Sequence, residues 1–125
     1  NDMACYKARA EAVRHAEVYR GSFAISVCPS ENVESPTIVG AQAANELLNI
    51  IGIKASFVLT EYNGKIYISS RSIDEINVQI IMEKLGGGGH LNVAGAQLTG
   101  VTIVQAKRMI QDTLDEMLKE GDIEE

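Results

Sequence analysis

Residues 55–70, ASFVLTEYNGKIYISS, hold the pattern that sets the fold. Two runs rich in apolar, β-branched and aromatic residues, 55–62 and 65–70, flank Asn63-Gly64. Asn-Gly favours a tight turn because both positions need positive φ, so the runs are expected to fold back as an antiparallel hairpin. Alternation along the second run sets Ile66, Ile68 and Ser70 on one face, and Lys65, Tyr67, Ser69 and Arg71 on the other.

Helical patterns surround this hairpin. Ala8, Ala12, Val13 and Ala16 recur at helical spacing and predict a helix over 4–19, stopped by Gly21. SFAISVC, 22–28, reads as a buried strand, and 29–34 as a polar loop. Ser35-Pro36 has the form of an N-cap followed by proline at the first helical position. The helix it opens carries Ile38, Leu47, Leu48 and Ile51 and is expected to end at Gly52. Beyond the hairpin, Ser72 and Glu75 have capping-box spacing and predict a helix to Leu85. Thr102 and Gln105 repeat that spacing before a last helix, which should bury Ala106, Met109, Ile110, Leu114 and Met117 and end near Gly121.

The resulting order is α-β-α-β-β-α-(Gly loop)-β-α. It predicts an α/β (α+β) domain with a small mixed β-sheet flanked by helices, antiparallel in the hairpin and parallel in part across the helical connections. At 125 residues the chain is expected to be one domain, 1–125. Aromatic residues make up 5% and tryptophan is absent, so the core must be aliphatic.

Net charge is −6, but the imbalance is local. Seven acids fall within 112–125 against Lys119 alone, whereas 1–111 carries ten acids and ten bases. A body without a basic footprint argues against binding duplex DNA, although one or two cations suffice for a small phosphate site. Cys5 and Cys28 make neither a disulfide framework nor a metal site and read as reduced cytoplasmic thiols. No apolar run approaches membrane-spanning length. The chain begins at Asn1 and is expected to be a piece of something longer.

Residues 85–106, LGGGGHLNVAGAQLTGVTIVQA, are the unusual segment. They contain six glycines and no charged side chain apart from His90 when protonated. A helix C-cap and a turn account for Gly86 and in part Gly87, but not for Gly88 and Gly89. Consecutive glycines let backbone N–H groups converge on anionic oxygens. His90 adds a donor to phosphate or a ring to stack on a base, and 91–96 is expected to begin a short helical turn. Arg71, at the end of its strand, has the planar fork that grips a phosphate bidentately. Ser70 and Ser72 are expected to donate to the same oxygens. Neither G-x-x-x-x-G-K-[ST] nor G-x-G-x-x-G occurs in the run, and no carboxylates or histidines stand at catalytic or metal-ligand spacing.

Arg71-Ser72 and GGGGHLNVAG, 86–95, resemble the DHH-associated (DHHA) domain of DHH-family phosphoesterases, whose signature is GGGH-x-x-A-A-G. Val93 stands where the first alanine of that signature is common. The stretch ISSRSIDEINVQIIMEKLGGGGHLNVAGAQL most resembles the C-terminal part of GdpP-type cyclic-di-AMP phosphodiesterases. The resemblance implies that Gly87, Gly88, Gly89 and His90 hold a phosphate or the adenosine end of a nucleotide, that Arg71 pairs with phosphate, and that Asn92 is a further contact. It implies a preceding DHH domain of the same parent chain, with two Mn²⁺ ions at which water attacks a phosphodiester, converting cyclic-di-AMP to linear pApA. It implies a membrane-anchored bacterial parent whose catalytic domains are cytoplasmic. The piece in hand is then expected to bind no metal and to hydrolyse nothing alone, and a homodimer stays open. Two other readings remain: a relative acting on short oligonucleotides or pyrophosphate, and a nucleotide-binding module without catalysis.

Overall fold

The computed structural model describes residues 2–73 and 75–125. Among these residues, four helices, α1 (Met3–Arg14), α2 (Pro36–Leu47), α3 (Val78–Lys84) and α4 (Ile103–Glu120), cover a six-stranded sheet. Its strands are β1 (Glu17–Tyr19), β2 (Phe23–Cys28), β3 (Ala55–Tyr62), β4 (Lys65–Ser72), β5 (Gly88–Gly89) and β6 (Val93–Leu98), in the order β1-β2-β3-β4-β6-β5. Only β2 and β3 are parallel, joined by α2 as a crossover, so the expected mixed sheet with helical cover is present.

Alternation divides the core into two layers. Phe57, Leu59, Ile66 and Ile68 pack with Ile81, Met82, Ile110, Leu114 and Met117 of α3 and α4. Val58 and Ala24 pack on the opposite face with Ala8, Ala12, Val39, Ala43 and Leu47 of α1 and α2. The second layer is built from small residues, which brings the helices close to the sheet. A Cβ added to Gly40 of α2 would collide with Oγ1 of Thr60. α1 and α2 end above the middle strands, leaving Tyr67, Ser69 and Arg71 of β4 half-buried and Val93 and Gln97 of β6 exposed.

Several local expectations held. Asn63 and Gly64 take φ of 51° and 73°, as the hairpin turn requires. The Thr102–Gln105 capping box forms in both directions, and Gly121 ends α4 in the left-handed conformation.

Others are corrected. The first helix stops at Arg14, and 17–19 becomes an edge strand instead. Val18 and Tyr19 suit a strand, and Arg20-Gly21, both at positive φ, turn the chain so that Tyr19 faces Phe23 in β2. α2 ends at Leu47, and Ile51 is fully exposed. Ser35 makes no side-chain cap bond. Ser72 does not open a helix with Glu75. It closes β4, its hydroxyl donates to Ile76 O at 2.6 Å, and Asn77 caps α3 instead. The expected helical turn over 91–96 is the start of β6, because its alternating Ala94, Ala96 and Leu98 fill the core face of an edge hairpin.

Candidate functional site

The glycine run descends from the end of α3 into the edge strand β5, and each glycine meets a different demand. Gly86 takes φ 84° at the helix end, where Gly86 and Gly87 donate their N–H groups back to Glu83 and Met82. A Cβ on Gly87 would lie 2.7 Å from Ala96 Cα, and one on Gly89 would lie 2.6 Å from Ala94 Cα. Both positions therefore need glycine for close approach to β6, and Gly89 also sits at φ 146°. Gly88 is different: a Cβ there would meet nothing within 4 Å. Packing thus accounts for Gly89 as well as for Gly86 and Gly87, which the sequence did not show.

Register sets the neighbours. Ser69 pairs with Gly95, which pairs with Gly88, so these three residues form one row across β4, β6 and β5. Two residues along and on the same face, past the Ser70–Ala94–Gly89 row, Arg71 pairs with Val93, and the Val93 carbonyl accepts the His90 N–H at 2.7 Å. Arg71 and His90 thus flank an exposed Val93, with Gly88 two residues further along on the same face. The Arg71 guanidinium is half-buried and donates from Nη1 to the Ser70 carbonyl at 2.9 Å. Burial lowers its pKa below the usual arginine value, but such a group stays protonated near neutrality. The remaining guanidinium donors suit an anionic oxygen. The His90 side chain is exposed.

Ser70 is corrected as a ligand contact. Its side chain points to the opposite face of the sheet from Arg71, is fully buried, and its hydroxyl has no partner. Ser72 lies on that same inner face. Asn92 serves the scaffold: Nδ2 donates to Ser72 Oγ at 3.0 Å and to Ile73 O at 2.9 Å, tying the β5–β6 turn to the end of β4. Both amide donors are used, leaving its carbonyl oxygen.

Sequence reasoning did not single out the concavity beside this row. A cavity of about 510 Å³ lies over β4 and β6, lined by Thr37, Tyr67, Ser69, Gly87 and Gln97 among others. Of the expected site residues only Gly87 reaches it; Arg71, Gly88, Gly89, His90 and Asn92 border the neighbouring row. The alternation that put Tyr67 and Ser69 on Arg71's face was the available signal. Among the described residues, no three His, Cys, Asp or Glu side chains come together to hold a metal ion.

Residues 21–120 match the DHHA1 domain family. The chain belongs to that family. This DHHA1 domain is 43% identical over 115 residues to cyclic-di-AMP phosphodiesterase PdeA of Listeria monocytogenes, covering 91% of this chain and 17% of that protein. It is 37% identical over 120 residues to cyclic-di-AMP phosphodiesterase GdpP of Geobacillus thermodenitrificans, covering 95% and 18%. The chain therefore spans less than a fifth of the length of these relatives. A solved exopolyphosphatase-related protein of Bacteroides fragilis shares the fold at a TM-score of 0.80 and 21% identity, over 94% of this chain and 36% of that one. The C-Ala domain of Aquifex aeolicus alanyl-tRNA synthetase shares it at 0.58 and 20%, over 79% of this chain and 96% of its own. Among the described residues no helix is long and apolar enough to cross a membrane.

Proposed function

We propose that this DHHA1 domain is the nucleotide-holding half of a phosphodiesterase that opens cyclic-di-AMP to linear pApA. Arg71 and His90 receive phosphate oxygens on the outer row. The bare Gly88 backbone lets the ligand approach the sheet edge, while Gly87 and Gly89 hold that edge against β6. Asn92 positions the turn that carries His90. The hydrolytic step would belong to a DHH domain of the parent chain, where bound Mn²⁺ would lower the pKa of the attacking water. That parent is membrane-anchored with this domain on the cytoplasmic side. Duplex DNA is not a ligand, given the balanced charge of 1–111.

The observation that carries this reading is Gly88, the one glycine of 86–89 at which the fold requires neither positive φ nor missing volume, lying beside the Arg71–Val93–His90 row. The similarity to PdeA and GdpP supports the substrate. A second reading, short oligonucleotides, draws on 35% identity over 71 residues to the bifunctional oligoribonuclease and PAP phosphatase NrnA of Thermus thermophilus. Assaying the full-length parent with cyclic-di-AMP, dinucleotides, short oligonucleotides and pyrophosphate separates the two. Preference for cyclic-di-AMP is expected. Preference for linear oligonucleotides would favour the second reading, and no turnover of any of them would overturn both.

A further inference from the structure

The cavity beside the Arg71 row has a composition unlike that of the row. Among the described residues, no charged side chain lines it. Its walls offer the phenol of Tyr67, the hydroxyls of Ser69 and Thr37, and the primary amide of Gln97 over a floor of glycine backbone. Its volume of about 510 Å³ falls within the ~300–1,000 Å³ usual for small-molecule sites. Tyr67 is half-buried, and its ring is braced by Tyr62, with centroids 6.4 Å apart and planes at 46°. Tyr67 pairs with Gln97 directly across β4 and β6, so an aromatic ring and an amide share one row. That row lies four residues from the Arg71 row along β4, ~13 Å at the usual rise per residue, with the Ser69–Gly95 row between them.

We propose that this cavity receives the nucleobase of a nucleotide whose phosphate rests on the Arg71–Val93–His90 row. The inference rests on the function proposed above and adds the ligand's direction across the sheet. An uncharged cavity suits the uncharged part of a nucleotide. Tyr67 presents a π-face to a base, and the Gln97 amide offers both donor and acceptor to a base edge. Ser69 and Gly95, midway, face the sugar. Gln97 is the residue that reads base identity, because a primary amide matches the adjacent donor and acceptor of an adenine edge. A rival chemistry is an anion drawn to the first turn of α2, where Thr37 lies.

The test titrates the ¹⁵N-labelled chain with adenosine 5′-monophosphate and, separately, with ribose 5-phosphate, following backbone amide shifts. Both ligands should move Arg71, Gly88 and His90, and only the base-bearing one should also move Tyr67 and Gln97. In Gln97→Ala, an exposed position whose removal leaves the core intact, the affinity advantage of adenosine monophosphate over ribose phosphate should shrink at least threefold. Shifts confined to the Arg71 row with both ligands would overturn the base site and leave the proposed function standing. Equal shifts of Tyr67 and Gln97 with ribose phosphate would make the cavity an anion pocket and overturn the inference. No response in either row to either ligand would overturn the underlying reading as well.

Discussion

Arg71 and His90 are linked through Val93, which pairs with Arg71 in register and accepts the His90 N–H on its carbonyl at 2.7 Å. Two residues nineteen positions apart thereby share one row of the sheet, two strand spacings or ~10 Å apart across the strands. A β6 register slipped by one residue would turn its side chains to the other face and break this arrangement. The glycines that seat β5 on β6 are thus part of how the row is built.

Gly87→Ala and Gly89→Ala should therefore each destabilise the fold by about 1–3 kcal/mol, because their Cβ atoms would meet the β6 backbone. Gly88→Ala should stay within about 0.5 kcal/mol of wild type, since nothing lies in its way. Urea denaturation of the three variants reads this directly. Equal destabilisation at all three positions would mean that Gly88 too serves packing.

Removing the Asn92 amide frees the β5–β6 turn from Ser72 and Ile73. Asn92→Ala should lose about 1–2 kcal/mol of stability. Thermal unfolding at several ligand concentrations distinguishes a scaffold role from a ligand contact. Unchanged stability in the absence of nucleotide, together with weakened binding, would return Asn92 to the ligand.

On the far side of the domain, Asp115 accepts from Tyr19 Oη at 2.7 Å and from Arg20 Nε at 2.7 Å, fastening α4 to the β1–β2 turn. Hydrogen bonds from Arg20 and then Tyr19 lower the Asp115 carboxyl pKa below its ordinary 3.8, while the bond to Asp115 raises the Tyr19 phenol above its ordinary 10.0. A lowered carboxyl pKa stabilises the fold above the unfolded value and loses that contribution as pH falls through the folded one. A raised phenol pKa does the reverse, its contribution fading as pH climbs through the folded value. The contact should thus be fully present between 3.8 and 10.0 and weaken outside that window. Asp115→Asn should be less stable than wild type at pH 7, with the difference narrowing below pH 4. A constant difference from pH 7 to pH 2 would contradict this.

The hairpin and both ends of α4 were legible because their signals are local: Asn63-Gly64 sets its own φ values, and Thr102 with Gln105 satisfies N–H groups within one turn. The end of α1 was not, because Val18 becomes a strand residue only when β2 lies alongside, and sequence spacing does not reveal that neighbour. The face of Ser70 could be read from alternation, which placed it with Ile66 and Ile68. Proximity to Arg71 in sequence was the misleading cue. Gly89 was read as a ligand-facing residue because its collision partner, Ala94, lies across a turn whose register the sequence does not state. The cavity escaped notice because Thr37, Tyr67 and Gln97 come from three separate elements.

Central to this account is an open row at the sheet edge that receives phosphate, approached over a bare Gly88. The most direct test compares the affinity of linear pApA for the wild-type chain and for Gly88→Val, read from amide shifts, with thermal unfolding of both. Shifts centred on Arg71, Gly88 and His90 are expected in the wild type, with loss of binding in Gly88→Val at an unchanged melting temperature. Undiminished binding in a folded Gly88→Val variant, or shifts that bypass Arg71 and His90, would contradict it.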